Sequence, residues 1–334
     1  MSSTAREASK RFAKRSRAGV VAGRIAVERS RDLRRLMGRT DGPMGATHQR
    51  FELEGGLEYI DRVFEDYLTY GPLAPSDLEG AHVLELGPGD NLGVALRFAA
   101  AGAAEVVATD RFIPYRDHEY ERRVYEALVA RLPEDERARV APALTENGFS
   151  LDGVPVEFHQ QTPIEEAPEL LGDSRFDLIV SRAVLEHVHD LETAFSAMDR
   201  LLKPGGRMVH KVDLADHGLF TGGGQNPLTF LTISDRVYGW MGEESAGLPN
   251  RQMIGWYQRK MDSLGYETDY LITHVAGVEV EIEPHVPLAD GLPASARLEY
   301  VNEIRPRLLS RFRGLSDLEL SIAGFMLIAR KPNG

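Results

Sequence analysis

One short stretch constrains the fold of this chain more than any other part of the sequence. It runs from Val83 to Gly93 and reads Val-Leu-Glu-Leu-Gly-Pro-Gly-Asp-Asn-Leu-Gly. Its apolar start predicts a buried strand, and Gly87 and Gly89 predict a tight turn where the backbone can approach a ligand. Residues 91–101 then carry apolar side chains at helical spacing. A strand, a glycine turn and a helix in this order are typical of nucleotide-binding α/β sheets.

Two carboxylates narrow the kind of ligand. A second predicted strand, 105–109, ends at Asp110, which follows Gly87 by 23 positions. In nucleotide-binding crossovers an acid at about this distance binds ribose hydroxyls. Glu85 lies just before the first glycine, where it would repel an anionic pyrophosphate and attract a cationic amino group. The pattern therefore favours a ligand with an amino group over NAD.

Two later segments complete a known family pattern. They are Phe-Asp-Leu-Ile-Val-Ser at 176–181 and Leu-Leu-Lys-Pro-Gly-Gly-Arg-Met-Val at 201–209. Together with the glycine turn and its two acids, they resemble the class I S-adenosylmethionine-dependent methyltransferases over residues 57–215. The resemblance implies a doubly wound, Rossmann-like α/β sheet that is mostly parallel, has an antiparallel last strand and carries helical and loop insertions. It also implies S-adenosyl-L-methionine as the cofactor and S-adenosyl-L-homocysteine as the product.

The resemblance also implies which residues bind the cofactor. Phe112 and Thr162 are expected near adenine, and Ser181 near the amino acid moiety. Family members often have an Asp-Ala pair where this chain has Thr162 and Pro163, so a neutral group must replace that carboxylate. The implied set is Glu85, Gly87, Gly89, Asn91, Asp110, Arg111, Phe112, Gln161, Thr162, Ser181 and Arg182.

The general base is expected where the fourth and fifth strands end. Because the cofactor is already activated, the enzyme mainly aligns the acceptor and removes its proton. The preferred base is His217 or His210, with Asp213 orienting it, and His187 is a further candidate. For any single histidine, a structural role remains an alternative. A divalent ion on Asp213, Asp216 and His217 is not expected, because three nearby polar residues are a weak metal signal.

Missing motifs narrow the methyl acceptor. Strand four is not followed by the Asn/Asp-Pro-Pro-aromatic motif of enzymes that methylate exocyclic amino groups of bases. The chain has no cysteine, which excludes carbon-5 methylation of cytosine through a thiolate. We predict O-methylation of a small molecule, such as a sugar or secondary metabolite. The alternatives are N-methylation of a small molecule, methylation of RNA or protein, and a non-catalytic cofactor-binding subunit.

Charge separates the N-terminal region from the rest of the chain. Residues 1–40 contain twelve Lys or Arg and three acidic residues, so they carry +9 while the remainder carries −21. An acidic body argues against a nucleic-acid partner. We predict a basic arm over 1–45, helical or disordered, and a methyltransferase domain over 46–334. Insertions that cover the substrate are predicted near 111–153, 218–255 and 275–317.

The remaining predictions concern location and secondary structure. No run of about 18 apolar residues is present, and the N-terminus lacks the apolar core of a secretion signal. A cytoplasmic protein without membrane contact is therefore expected, and a homo-oligomer remains open. Periodicity predicts helices over 56–70, 253–264 and 294–312, and strands over 278–282 and 318–330.

Overall fold

The computed structural model describes residues 16–36, 51–113, 116–145, 148–242 and 248–333. The rest of the predicted basic arm, 1–15 and 37–45, lies outside the described residues. The strands are β1 His82–Leu86, β2 Glu105–Asp110, β3 Leu144–Thr145, β4 Gly148–Phe149, β5 Val156–Gln160, β6 Phe176–Arg182, β7 Leu202–Asp213, β8 Glu267–Val275, β9 Val286–Pro287 and β10 Ile322–Arg330.

One sheet contains eight of these strands, in the order β5-β2-β1-β6-β7-β10-β8-β9. Strands β5, β2, β1, β6 and β7 pair in parallel. Strand β10 is antiparallel to both of its neighbours, β7 and β8. The parallel strands reverse their order between β1 and β6, and such switch points are where open α/β sheets bind ligands.

Helices cover both faces of this sheet. They are α1 Arg17–Leu36, α2 Leu53–Tyr70, α3 Pro75–Leu78, α4 Gly93–Ala100, α5 His118–Arg131, α6 Glu134–Val140, α7 Ala167–Leu171, α8 Leu191–Leu201, α9 Asp235–Trp240, α10 Ile254–Leu264, α11 Leu298–Ile304, α12 Ser310–Arg313 and α13 Asp317–Ser321. One apolar core packs α8 and α10 against the sheet, and a second packs α2, α4 and α5. The predicted fold class, a doubly wound and mostly parallel sheet with an antiparallel last strand, is confirmed.

Burial explains why the central strands are almost entirely apolar. In β1, Val83 and Leu84 belong to different cores, one on each face of the sheet. Parallel strands covered on both faces read as continuous hydrophobic runs. Local signals fix the helices between them: the Thr193 N–H donates to Asp190 Oδ1 at 3.0 Å and caps α8.

Of three secondary-structure predictions in the C-terminal part, the strand over 278–282 was wrong, and the helix and the last strand were confirmed only in part. Residues 278–282 lie in a loop, and Val280 is 75% exposed. The predicted helix over 294–312 is broken into α11, a 3-10 turn and α12, since Pro306 lacks the N–H that a continuous helix needs. The predicted strand over 318–330 begins as helix α13, which Ser316 caps, and becomes strand β10 at Ile322.

The described part of the predicted basic arm is a helix packed onto the domain. In α1, Val20, Val21 and Ile25 pack against the core. Arg17 Nη2 donates to the Thr232 carbonyl at 3.2 Å, and Arg24 Nε donates to the Met241 carbonyl at 3.0 Å. None of the helices in the described ranges is long and apolar enough to cross a membrane.

Candidate functional site

A cavity of about 530 Å³, here named the cofactor cavity, lies at the C-terminal ends of β1, β2 and β6. The glycine turn after β1 forms one of its walls. Gly87 and Gly89 have φ angles of +65° and +69°, which glycine adopts without steric cost. A Cβ atom at Gly87 would lie 2.5 Å from Cγ2 of Val184. Only glycine fits at this position without moving the neighbouring wall.

The structure brings most of the predicted cofactor-binding residues to this cavity. Gln161 and Ser181 are the exceptions, since neither belongs to its lining. Sequence reasoning missed Tyr59, which α2 contributes beside Tyr67. Its position outside the apolar stripe of the helix was the available signal. The predicted residues that do line the cavity are Glu85, Gly87, Gly89, Asn91, Asp110, Arg111, Phe112, Thr162 and Arg182.

The side chain of Glu85, at the end of β1, is almost completely shielded from solvent. It is 6% exposed, and its Oε2 makes no hydrogen bond within the described residues. Burial raises the pKa of this carboxyl to about 8. A buried polar oxygen without a partner is costly. A ligand that brings a positive charge or a donor to Glu85 would remove this cost.

Asp110 joins two turns at the end of β2. Its Oδ1 accepts the Phe112 N–H at 2.8 Å and its Oδ2 accepts the Gly89 N–H at 3.3 Å. The Thr162 N–H donates to the Asp110 carbonyl at 2.9 Å. Burial raises the pKa of the Asp110 carboxyl, against the two backbone N–H groups that lower it. A carboxylate has about four acceptor positions, so it can still accept ligand hydroxyls.

The Arg182 guanidinium is neutralised within the protein. Its Nη1 donates to Asp66 Oδ2 at 2.6 Å, and Lys211 Nζ pairs with the same carboxylate oxygen at 3.1 Å and with Glu281. Burial alone would raise the pKa of Asp66, but Lys211 and Arg182 hold it below its usual range. Arg182 also lies over the Tyr59 ring, 5.6 Å from its centroid. It therefore orders the cavity wall more than it offers a charge to a ligand.

A second cavity of about 730 Å³, here named the acceptor cavity, lies beside the first. Its walls come from α1, the segment after β7, the end of β8 and α11, so two of the predicted insertions contribute to it. Asp213 and His217 line both cavities. In the predicted cover, Phe230 and Tyr238 are buried in the core, and Trp240 is half-exposed.

Asp213 and His217 lie at the boundary between the cavities. His217 Nε2 is 3.7 Å from Asp213 Oδ2. Asp216 instead holds the backbone, because its carboxylate accepts the N–H groups of Phe220 at 2.6 Å and Thr221 at 2.9 Å. It fixes the turn after β7, so it does not join the other two as a metal ligand.

Two further acid–base groups lie next to His217. The ring centroid of His187 is 4.9 Å from that of His217, and the rings are perpendicular. Burial lowers the pKa of His187 to about 4, and the neighbouring His217 acts in the same direction. Burial raises the pKa of Glu186 well above its usual range, as does the charge of Asp213, while nearby backbone N–H groups oppose them. His187 is therefore neutral near pH 7.

His210, the other preferred base, lies away from both cavities. It is fully buried in β7, and its Nδ1 lies 2.8 Å from Ser181 Oγ in β6. Burial lowers its pKa to about 3. Successive side chains of a strand point to opposite faces, and His210 points towards Phe195 of α8, at 6.4 Å between ring centroids. The side chains of Ser181 and His210 therefore contact each other inside the sheet, away from both cavities.

The comparisons with known proteins agree with this geometry. A family model described as a methyltransferase domain matches residues 57–261, which is more than half of the chain. The chain belongs to the class I S-adenosylmethionine-dependent methyltransferases. This family has a Rossmann-like fold and uses S-adenosylmethionine. The comparisons give no indication that it needs a metal.

Several solved structures are distantly similar to this methyltransferase. An S-adenosylmethionine-dependent methyltransferase from Mesorhizobium loti is 15% identical over 84% of this chain and 100% of its own, with a TM-score of 0.40. An arsenic(III) methyltransferase from Chlamydomonas reinhardtii is 19% identical over 81% of this chain and 72% of its own, with a TM-score of 0.40.

A third similar structure is phosphoethanolamine N-methyltransferase 2 from Haemonchus contortus, in complex with S-adenosyl-L-methionine. It is 14% identical over 81% of this chain, with a TM-score of 0.42, and the match spans 52% of its own length. A comparison with curated proteins finds no match. These similarities are too distant to indicate a substrate.

Proposed function

We propose that this methyltransferase transfers a methyl group from S-adenosylmethionine to a hydroxyl oxygen of a small molecule bound in the acceptor cavity. The observation that carries the proposal is that Asp213 and His217 line both cavities. A proton acceptor at this boundary can contact an acceptor hydroxyl while the cofactor occupies the neighbouring space. Proximity of this kind is the main contribution that a methyltransferase makes to catalysis.

The cofactor cavity fits S-adenosylmethionine on two grounds. The buried Glu85 oxygen lacks a partner and suits the cationic amino group of the cofactor, and the wall at Gly87 leaves no room for a side chain. Asp110 would accept the ribose hydroxyls, with Phe112 and Thr162 beside adenine. When bound, the cofactor supplies an activated methyl group, and the chain's own residues orient it and exclude water.

The acceptor proton would leave to His217, which Asp213 orients from 3.7 Å. General bases in this role contribute roughly 10²- to 10⁴-fold to the rate. His187 stays neutral beside it and packs its ring edge-on against His217. The Ser181–His210 pair, buried inside the sheet, would support β6 and β7 without contacting the substrate.

Helix α1 argues against RNA as the methyl acceptor. Two of its arginines, Arg17 and Arg24, donate to backbone carbonyls of the same domain, so they hold the helix in place. The carboxylates of Asp213, Glu279 and Glu303 also line the acceptor cavity, and together with Asp216 they outnumber its two arginines, Arg17 and Arg307. A phosphate backbone would be repelled there.

The same three carboxylates favour a second candidate function, N-methylation of a small amine. A cationic acceptor would be attracted to the acceptor cavity, and it would have to lose a proton before attacking the methyl group. The bases needed for alcohols and for amines would lie at the same boundary. Only the acceptor distinguishes the two reactions.

Calorimetric titration with S-adenosylmethionine and, separately, with NAD tests the cofactor. Micromolar binding of the first and none of the second is expected, and Glu85→Gln should weaken the first at least tenfold. Mass spectrometry of reactions with matched pairs of hydroxyl and amino compounds then tests the acceptor. Methylated alcohols support the proposal, methylated amines alone support the second candidate, and NAD binding without S-adenosylmethionine binding would overturn both.

A further inference from the structure

Glu186 is the most unusual acid outside the roles assigned so far. It belongs to the 3-10 turn Leu185–His187 after β6 and is 0% exposed. Asn250 covers this turn, because its backbone N–H donates to the Glu186 carbonyl at 2.6 Å and its Nδ2 donates to the Leu185 carbonyl at 2.8 Å. No side chain of the described residues donates a hydrogen bond to either carboxyl oxygen, and no Lys, Arg or His forms an ion pair with it. Buried carboxylates nearly always have a partner. The described residues therefore leave Glu186 without a positively charged partner, although backbone N–H groups lie near it.

Two imidazoles lie beside this carboxyl. One ligand-type atom from each of Glu186, His187 and His217 lies within 4.8 Å of the other two. The Leu248 carbonyl is 3.3 Å from His187 Nδ1. Because a carbonyl oxygen can only accept, it places the proton on Nδ1 and leaves the lone pair on Nε2. Metal-binding histidines are commonly oriented by a backbone carbonyl in this way.

A second trio in the same molecule serves as an internal comparison. Asp66, Glu281 and His285 also bring their ligand-type atoms within 4.8 Å. There, however, the Lys211 ammonium pairs with both carboxylates, so a cation is already supplied by the chain. At Glu186 the described chain supplies none. The first trio has one carboxylate and two imidazoles and the second has two carboxylates and one imidazole, and only the second includes a positively charged partner from the chain.

We propose that Glu186, His187 and His217 bind a divalent first-row metal ion, such as Mn²⁺, Fe²⁺ or Zn²⁺, at the boundary of the two cavities. Two imidazoles and one carboxylate suit these ions better than Mg²⁺, which prefers oxygen ligands. Three protein ligands leave positions open for an exogenous oxygen. This trio differs from the one containing Asp216, whose carboxylate is used by the turn after β7.

The ion would define how the acceptor is activated, and this step rests on the proposed function. An acceptor hydroxyl coordinated to the ion loses its proton more readily. The O–H bond breaks and the proton passes to the Asp213 carboxylate, because His217 is then a ligand. The oxygen forms a bond to the methyl carbon while the carbon–sulfur bond breaks, and its electron pair remains on sulfur, giving S-adenosylhomocysteine. The acceptor class is then an alcohol or phenol whose oxygen can reach the ion.

Electron paramagnetic resonance with Mn²⁺ alone tests binding on the full chain after treatment with EDTA. One equivalent with a micromolar Kd is expected, and His217→Ala and Glu186→Gln should each weaken binding at least tenfold. His159→Ala is the matched control, because it removes a surface imidazole that lies 3.3 Å from a carboxylate of Glu157. It should leave the Mn²⁺ affinity unchanged. Zn²⁺ is titrated by calorimetry as a second probe.

Each outcome decides the metal proposal separately from the proposed function. No binding of either ion, or binding that neither variant weakens, would overturn the metal site. If Glu186→Gln does not fold, His217→Ala decides, because its side chain is partly exposed. Turnover that EDTA leaves unchanged would also overturn the metal's role and return His217 to the position of base. S-adenosylmethionine binding is measured in the same samples: its absence contradicts the proposed function, whatever the ions do.

Discussion

The cofactor cavity and the acceptor cavity of this methyltransferase are neighbours but are built in different ways. The first is formed mainly by turns that follow adjacent parallel strands, so its residues occupy fixed positions relative to the sheet. The second takes its walls from α1, the segment after β7, the end of β8 and α11. Strand order alone places the first cavity, whereas the second depends on packing between segments far apart in the chain.

This difference explains what the sequence could predict. Gly87, Gly89 and Asp110 have positions set by backbone geometry, so a local motif identifies them. Ser181 and His210 carry polar groups in the expected strands, but the sequence does not show which face of the sheet each occupies. The prediction puts both at the crevice, whereas the structure pairs them inside the sheet.

The acceptor side was harder to predict, for a related reason. Arg17 reaches the acceptor cavity only because Val20, Val21 and Ile25 dock α1 onto the domain. No local pattern indicates the partner of that apolar stripe. Glu186 was overlooked because the sequence does not show that its side chain is buried. Its significance comes from this burial and from the lack of a positively charged partner among the described residues, which only the folded chain reveals.

The largest expected effect concerns His217, the residue that joins the two cavities. His217→Ala should lower kcat roughly 10²- to 10⁴-fold, since either as base or as ligand it acts on the acceptor proton. The Kd of S-adenosylmethionine should change less than threefold. Steady-state kinetics and calorimetry measure the two quantities. The control is His118→Ala, which removes an exposed imidazole. An unchanged kcat in His217→Ala would contradict the proposal that His217 acts on the acceptor at the boundary of the two cavities.

A substitution at Gly87 should damage the cofactor cavity alone. Gly87→Ala introduces a Cβ atom that overlaps Val184 at a φ angle of +65°, and we expect the S-adenosylmethionine affinity to fall about 100-fold, or about 2.7 kcal/mol. Gly80→Ala is the matched control, with φ of +73° and nothing within 4 Å. It should cost only the backbone strain of about 1–2 kcal/mol in stability. Equal loss of affinity in both variants would refute the steric argument.

Glu85 should make the stability of the cofactor-free protein depend on pH. The folded pKa of about 8 lies above the value of 4.5 expected for the unfolded chain, so ionisation favours unfolding, and stability falls as pH rises from 4.5 to 8. Glu85→Gln removes this dependence. From pH 6 to pH 7.5, the free energy of unfolding of Glu85→Gln should rise relative to that of the unmodified protein by up to about 2 kcal/mol.

Denaturant unfolding at the two pH values measures this effect. Glu267→Gln, on an exposed position of β8, provides the control and should show no such growth. If the difference in free energy of unfolding between Glu85→Gln and the unmodified protein is the same at both pH values, the Glu85 carboxyl of the folded protein is ionised at both. In that case a partner for Glu85 would have to exist within the protein itself.

The smallest expected effect belongs to α1 and the acceptor cavity alone. Arg17→Ala removes part of the cavity wall and one hydrogen bond to the Thr232 carbonyl, worth about 1 kcal/mol. The acceptor KM should rise about fivefold with an unchanged Kd for S-adenosylmethionine. Arg29→Ala, an exposed position on the same helix, should change neither. A weaker cofactor affinity in Arg17→Ala would show that the two cavities are not independent.

The position of β10 has a consequence for how the enzyme reaches its active form. Among the described strands, β10 connects β8 and β9 to the rest of the sheet, because it pairs with both β8 and β7 and places Gly324 opposite Asp213. Pairings between segments distant in sequence form slowly, because the loop between them must close before any contact forms. The edge of β7 next to Asp213 therefore depends on a pairing between distant segments, whereas the glycine turn after β1 is local. Any change that detaches β10 from β7 is expected to disturb the boundary of the two cavities before it disturbs the glycine turn.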